Sequence, residues 1–156
     1  MAAFLDKTAL VLSAMGALGQ GVPMLWQQDM MLEMLSKDER AALRGSGFAA
    51  WCLFAHQGCL HLVMAGMSVV AAAMFRLRER LALHLMLLIY NGSAIFYHYR
   101  MFAQAGGAPK WFEKEETFWF NVYAVVFSTA VNAVGSLAAA AALRGSSARA
   151  VDGKDD

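Results

Sequence analysis

Two apolar segments, Phe48 to Phe75 and Leu81 to Ala103, are joined only by the five residues Arg76-Leu-Arg-Glu-Arg80. Each segment is longer than the ~20 residues that cross a bilayer as an α-helix. So short a linker predicts neighbouring, antiparallel helices, a transmembrane hairpin with a positively charged turn. The hairpin also carries all four histidines, both cysteines and three of the four tyrosines. Any chemistry in this chain is expected there.

Composition supports a membrane setting. The 156 residues are 59% hydrophobic and 16% charged, against the roughly 25% charged residues of soluble domains. A formal net charge of +1 and the lack of a basic patch with interleaved aromatics argue against a nucleic-acid partner. Cys52 and Cys59 are seven apart on one predicted helix, about 10 Å along its axis. That is too far for a disulfide, so both are expected as free thiols.

Two further spans complete an all-α integral membrane protein, read as an antiparallel bundle of four transmembrane helices over about 8–26, 48–75, 81–103 and 118–143. The first follows Asp6 and Lys7. Its Ser13, Ala17 and Gly21 recur every four residues, the small-xxx-small spacing that lets helices approach closely in lipid. Between spans one and two, Gln27 to Arg44 mixes methionine and leucine with acids and bases. It reads as one interfacial amphipathic helix stopped by Gly45-Ser46-Gly47. After span three, Gln104 to Pro109 reads as a turn, Lys110 to Thr117 as an interfacial collar, and 144–156 as a polar tail.

An even number of spans places both termini on the face that holds the arginine turn. Short charged loops weigh most in the positive-inside rule, so the termini are expected inside: cytoplasm, matrix or stroma. The same topology puts Trp26, Trp51, Trp111 and Trp119 at the opposite interface as an aromatic belt, and no acidic residue then lies deep in a span.

Helical spacing defines the candidate sites. Cys52, His56 and Cys59 follow i, i+4, i+7 and share a face, a possible soft-metal set. His84, Asn91 and His98 are seven apart each time and form a polar stripe. Asn121, Ser128, Asn132 and Gly135 form a second one. Reflecting the hairpin about Arg78 sets His98 level with His56 and His61 and leaves His84 near the inner face. Level histidines on adjacent spans suit the two axial positions of a b-type haem or a ligand site with Tyr97, Tyr99 and Arg100 at its mouth. Ser13, Ala17 and Gly21, with Ser128, Asn132 and Ser136, are read as a helix-packing interface. No HExxH, CxxC or nucleophile–base pair is present.

The reading that follows is a small non-catalytic membrane protein, an accessory subunit of a larger membrane complex. Its partners are other membrane subunits, or further copies of itself, and lipids, with no cofactor. The rival reading is a redox or ligand-binding protein that holds a haem, a metal or a quinone- or lipid-like molecule in the outer half of the bundle through His56, His61 and His98.

Overall fold

A computed structural model describes residues 1–46, 48–107, 110 and 112–152, with the side chains of 28, 48–51 and 147–152 outside the description. Those residues form six helices: α1 Ala2–Trp26, α2 Gln28–Glu33, α3 Lys37–Ser46, α4 Phe48–Met74, α5 Leu77–Ala105 and α6 Glu115–Asp152. Among them α1, α4, α5 and most of α6 are long and apolar enough to cross a membrane.

Three helix boundaries differ from expectation in ways that matter. α1 begins at Ala2, not near residue 8, which brings Asp6 and Lys7 into its first two turns. The predicted interfacial helix is two short helices, α2 and α3. The break falls at Ser36, whose hydroxyl accepts from the Glu39 N–H at 3.4 Å. Ser36-x-x-Glu39 is a helix-start signature, so a new helix begins where one was expected to continue. The last helix carries on through Arg144 to Asp152, so the first nine residues of the expected tail are helical.

Packing order also departs from chain order. α1 lies along both α4 and α6, and α5 lies along α6, whereas α4 and α5 touch each other sparsely. The hairpin partners are therefore not a packed pair. They converge near their turn, where Ala71 and Ala72 of α4, Leu83 and Leu87 of α5 and Leu10 of α1 share one apolar cluster with Phe75. The Arg76 N–H donates to the Glu79 carboxylate at 2.7 Å there, starting α5.

Small residues explain why α1 takes the central position. A Cβ on Gly21 would stand 3.0 Å from both the Gly58 carbonyl oxygen and the His61 Cβ, and one on Gly58 would stand 2.7 Å from Leu25. Ala14 and Ala17 of α1 are buried with Ala65 of α4. On the neighbouring side Ser13 bonds Asn132 of α6. The small-residue rows of α1 and α6 are thus occupied by contacts inside the chain.

At the end away from the α4–α5 turn, α2 and α3 are pinned to the segment before α6. Leu35 and Phe112 form an isolated antiparallel bridge, and the Glu113 N–H donates to the Met34 carbonyl at 3.0 Å. Arg40 donates to the Glu33 and Leu35 carbonyls at 3.1 Å and pairs with Glu113 at 3.6 Å. A stack of Phe102, Phe112, Phe118 and Trp119 closes this end.

Candidate functional site

The polar residues divide into two sets, one at each end of the helices. At the turn end Asp6 is fully buried, as are His84 and Asn132 to within 1%. The Asp6 carboxylate accepts from Arg80 Nε at 2.6 Å and from His84 Nε2 at 3.1 Å. Arg80 also donates to the Phe75 carbonyl, which ties the turn to α1. Asp6, outside the expected span of about 8–26, lies in the second turn of α1 and is buried, and Arg80 of the charged turn is tied to it. Both follow from the early start of α1: at 3.6 residues per turn Asp6 shares the inward face with Ala9, Leu10 and Ser13. His84, expected near an interface, is the centre of this set.

His84 is held on both sides of its ring. Asn132 Nδ2 donates to the Ser128 carbonyl at 2.9 Å, so its oxygen is the atom that faces Ser13 Oγ and His84 Nδ1, each at 3.2 Å. Both ring nitrogens of His84 therefore lie within hydrogen-bonding distance of an oxygen, Nδ1 of the Asn132 amide and Nε2 of the Asp6 carboxylate. Gly135 makes room for the ring, since a Cβ there would lie 2.6 Å from its Nδ1.

At the other end lies a cavity of about 600 Å³. Its apolar walls come from Pro23 and Met24 of α1, Met30 and Met31 of α2, Met34 just after it, Ala94 of α5 and Phe120 and Val125 of α6. His61, Tyr90, Asn91, His98, Asn121, Gln20, Thr117 and Glu116 supply its polar lining. Most of the lining comes from α1, α2, α5 and α6, with His61 from α4. A much smaller polar cavity of about 20 Å³ adjoins it and shares Gln20, His61, Tyr90 and Asn91. That is space for about one water.

The two cavity histidines are held alike. His61 Nδ1–H donates to the Gln57 carbonyl at 2.8 Å and His98 Nδ1–H to the Ala94 carbonyl at 2.7 Å. A carbonyl only accepts, so each Nδ1 carries a proton, and in the neutral tautomer that this bond selects Nε2 is an acceptor. Neither Nε2 has a partner among the described residues. Asn91 Nδ2 and Asn121 Nδ2 likewise donate to their own helices, at 2.9 and 2.8 Å, which leaves the amide oxygens as acceptors.

The expected constellations fall out unevenly. His61 and His98 line one cavity, whereas His56 is exposed on α4. Tyr97, Tyr99 and Arg100 are exposed on α5 and do not line it. Cys59 is exposed and Cys52 half-buried, and among the described residues no three His, Cys, Asp or Glu side chains gather as a metal-binding group. The stripe His84, Asn91 and His98 does face inward, the first two buried and the third half-buried. Ser13, Ala17, Gly21, Ser128 and Asn132 meet other helices of the chain, and Ser136 is buried with its hydroxyl bonded to the Asn132 carbonyl one turn back. Trp26 is exposed, Trp119 donates to Glu115 at 2.9 Å, and the side chains of Trp51 and Trp111 lie outside the described residues.

Fold and site together define an all-helical protein with four helices long enough to span a membrane and a methionine-walled cavity at one end. Comparison with protein-family models, curated proteins and solved structures finds no match to this chain.

Proposed function

We propose that the chain is a multi-pass membrane protein that holds a small apolar molecule, quinone- or lipid-like, in the cavity at its loop end. The observation that carries this reading is the cavity itself: about 600 Å³, within the range of small-molecule sites, with apolar walls and a few converging polar groups. The four long helices cross the bilayer as an antiparallel set, and α2 and α3 lie at the interface above the cavity. Arg76 and Arg78, both exposed, support an inner side for the turn and the termini by the positive-inside rule. The molecule is held, not transformed.

The accessory-subunit reading has less support, because the small-residue rows that would dock a partner are used within the chain. One experiment separates the two. The protein is extracted from its native membrane in mild detergent, and the retained small molecules and proteins are identified by mass spectrometry with an absorbance spectrum. The expected result is one apolar molecule per chain, lost when Ala94→Phe fills the cavity. A preparation free of small molecules that co-migrates with a fixed set of larger proteins overturns the proposal in favour of the accessory subunit. A Soret band that disappears in His98→Ala replaces the organic ligand with haem.

A further inference from the structure

We infer that the molecule bound in the loop-end cavity carries a neutral hydrogen-bond donor, a hydroxyl, at its polar end. This rests on the reading of the cavity as a ligand site and names the chemistry of its occupant.

The argument comes from counting what the lining has left to offer. His61 is 8% exposed, and both His61 and His98 have given their Nδ1 protons to backbone carbonyls. In the neutral tautomer that this selects, their Nε2 atoms are acceptors. Asn91 and Asn121 have each committed one of two amide N–H groups to a carbonyl one turn back, and each keeps the other N–H and an oxygen that matches an incoming donor. Pro23 has no N–H to give the Gly19 carbonyl one turn earlier, and Gly19 and Pro23 both line the cavity. Tyr90, Thr117 and Gln20 can donate or accept and do not reverse the bias.

Charge narrows the class further. No lysine or arginine lines the cavity among the described residues, and its one ionised group is the carboxylate of Glu116. A carboxylate or phosphate head would be brought into a largely apolar space without a counter-charge, which is costly. A ketone or ether head, which only accepts, would leave the histidine nitrogens unmatched. Unpaired polar groups on both sides are what make such discrimination strong. A hydroxyl on a long apolar body satisfies an imidazole nitrogen or an amide oxygen and leaves the methionine wall to the hydrocarbon.

The test uses the full chain in lipid nanodiscs, with three probes that share one hydrocarbon body: hexadecanol, hexadecyl methyl ether and palmitate. They are added together in equal amounts, and bound molecules are counted by native mass spectrometry. The expected result is at least tenfold more alcohol than ether or acid. In the double variant His61→Phe/His98→Phe, which keeps the apolar bulk and removes the two acceptors, alcohol and ether should bind equally. Equal alcohol and ether binding in the wild type overturns the donor inference and leaves the cavity reading standing. Preference for palmitate overturns it as well, and binding of none of the three overturns the cavity reading itself.

Discussion

The two ends of the molecule use the same residue types to opposite effect. At the turn end the polar groups of Asp6, Arg80, His84, Asn132 and Ser13 are matched to one another inside a closed contact of three helices. At the loop end His61, His98, Asn91 and Asn121 bond only to their own helices and turn their remaining atoms toward a cavity. A matched buried network specifies a fold, and an unmatched one leaves polar atoms open to a further partner. The physical difference is α1, which sits close against α4 and α6 where its residues are small.

That contrast predicts where substitutions act. The largest effect is expected for Asp6→Ala, which leaves Arg80 and His84 without their carboxylate. Removal of one partner of a buried pair costs about 3–5 kcal/mol, so unfolding in mild detergent should shift accordingly. Replacing Asp6 and Arg80 together by leucine should recover part of the loss, and a single variant as stable as the wild type would show that the pair is not structural.

Gly135→Ala comes next. Its methyl group would meet the His84 ring, and the resulting overpacking is expected to cost about 1–3 kcal/mol while ligand retention in the loop-end cavity stays unchanged. Loss of both together would mean that the two ends are coupled.

A smaller effect is expected for Gly21→Ala, which sits where the regions join, 3.0 Å from His61 Cβ. Here the helices must part by a few tenths of an ångström. The expected signature is a loss of about 1 kcal/mol accompanied by weaker ligand retention, measured by thermal unfolding and by mass spectrometry of the same preparation.

His98→Ala should change stability least. It removes one hydrogen bond within a helix, worth about 1 kcal/mol or less, from a half-buried position, yet it should abolish or sharply reduce ligand retention. A stability loss as large as that of Asp6→Ala would erase the distinction between the two ends.

Much of the inward geometry was legible from spacing. Seven-residue steps put His84, Asn91 and His98 on one face of α5, and reflection about Arg78 brought His61 and His98 to a common depth. Asp6 was not legible as a buried residue, because hydropathy marks where an apolar run begins, not where a helix does. The capping pattern Ser36-x-x-Glu39 in the sequence marks the break between α2 and α3. His56 shares a helix with His61 but lies about 140° away around it, and no spacing rule says which of the two faces the protein.

By itself the sequence determined four long apolar helices, their order and the polar stripes along them. Local composition suffices for that, since helix length and side-chain direction depend on neighbours within a turn or two. Only the tertiary structure decided that α1 takes the central position, that Arg80 pairs with Asp6 across a separation of 74 positions in the chain, and that α4 and α5 touch only sparsely. Those outcomes depend on which surfaces meet at close range, where a single missing Cβ at Gly21, Gly58 or Gly135 determines how closely the helices approach.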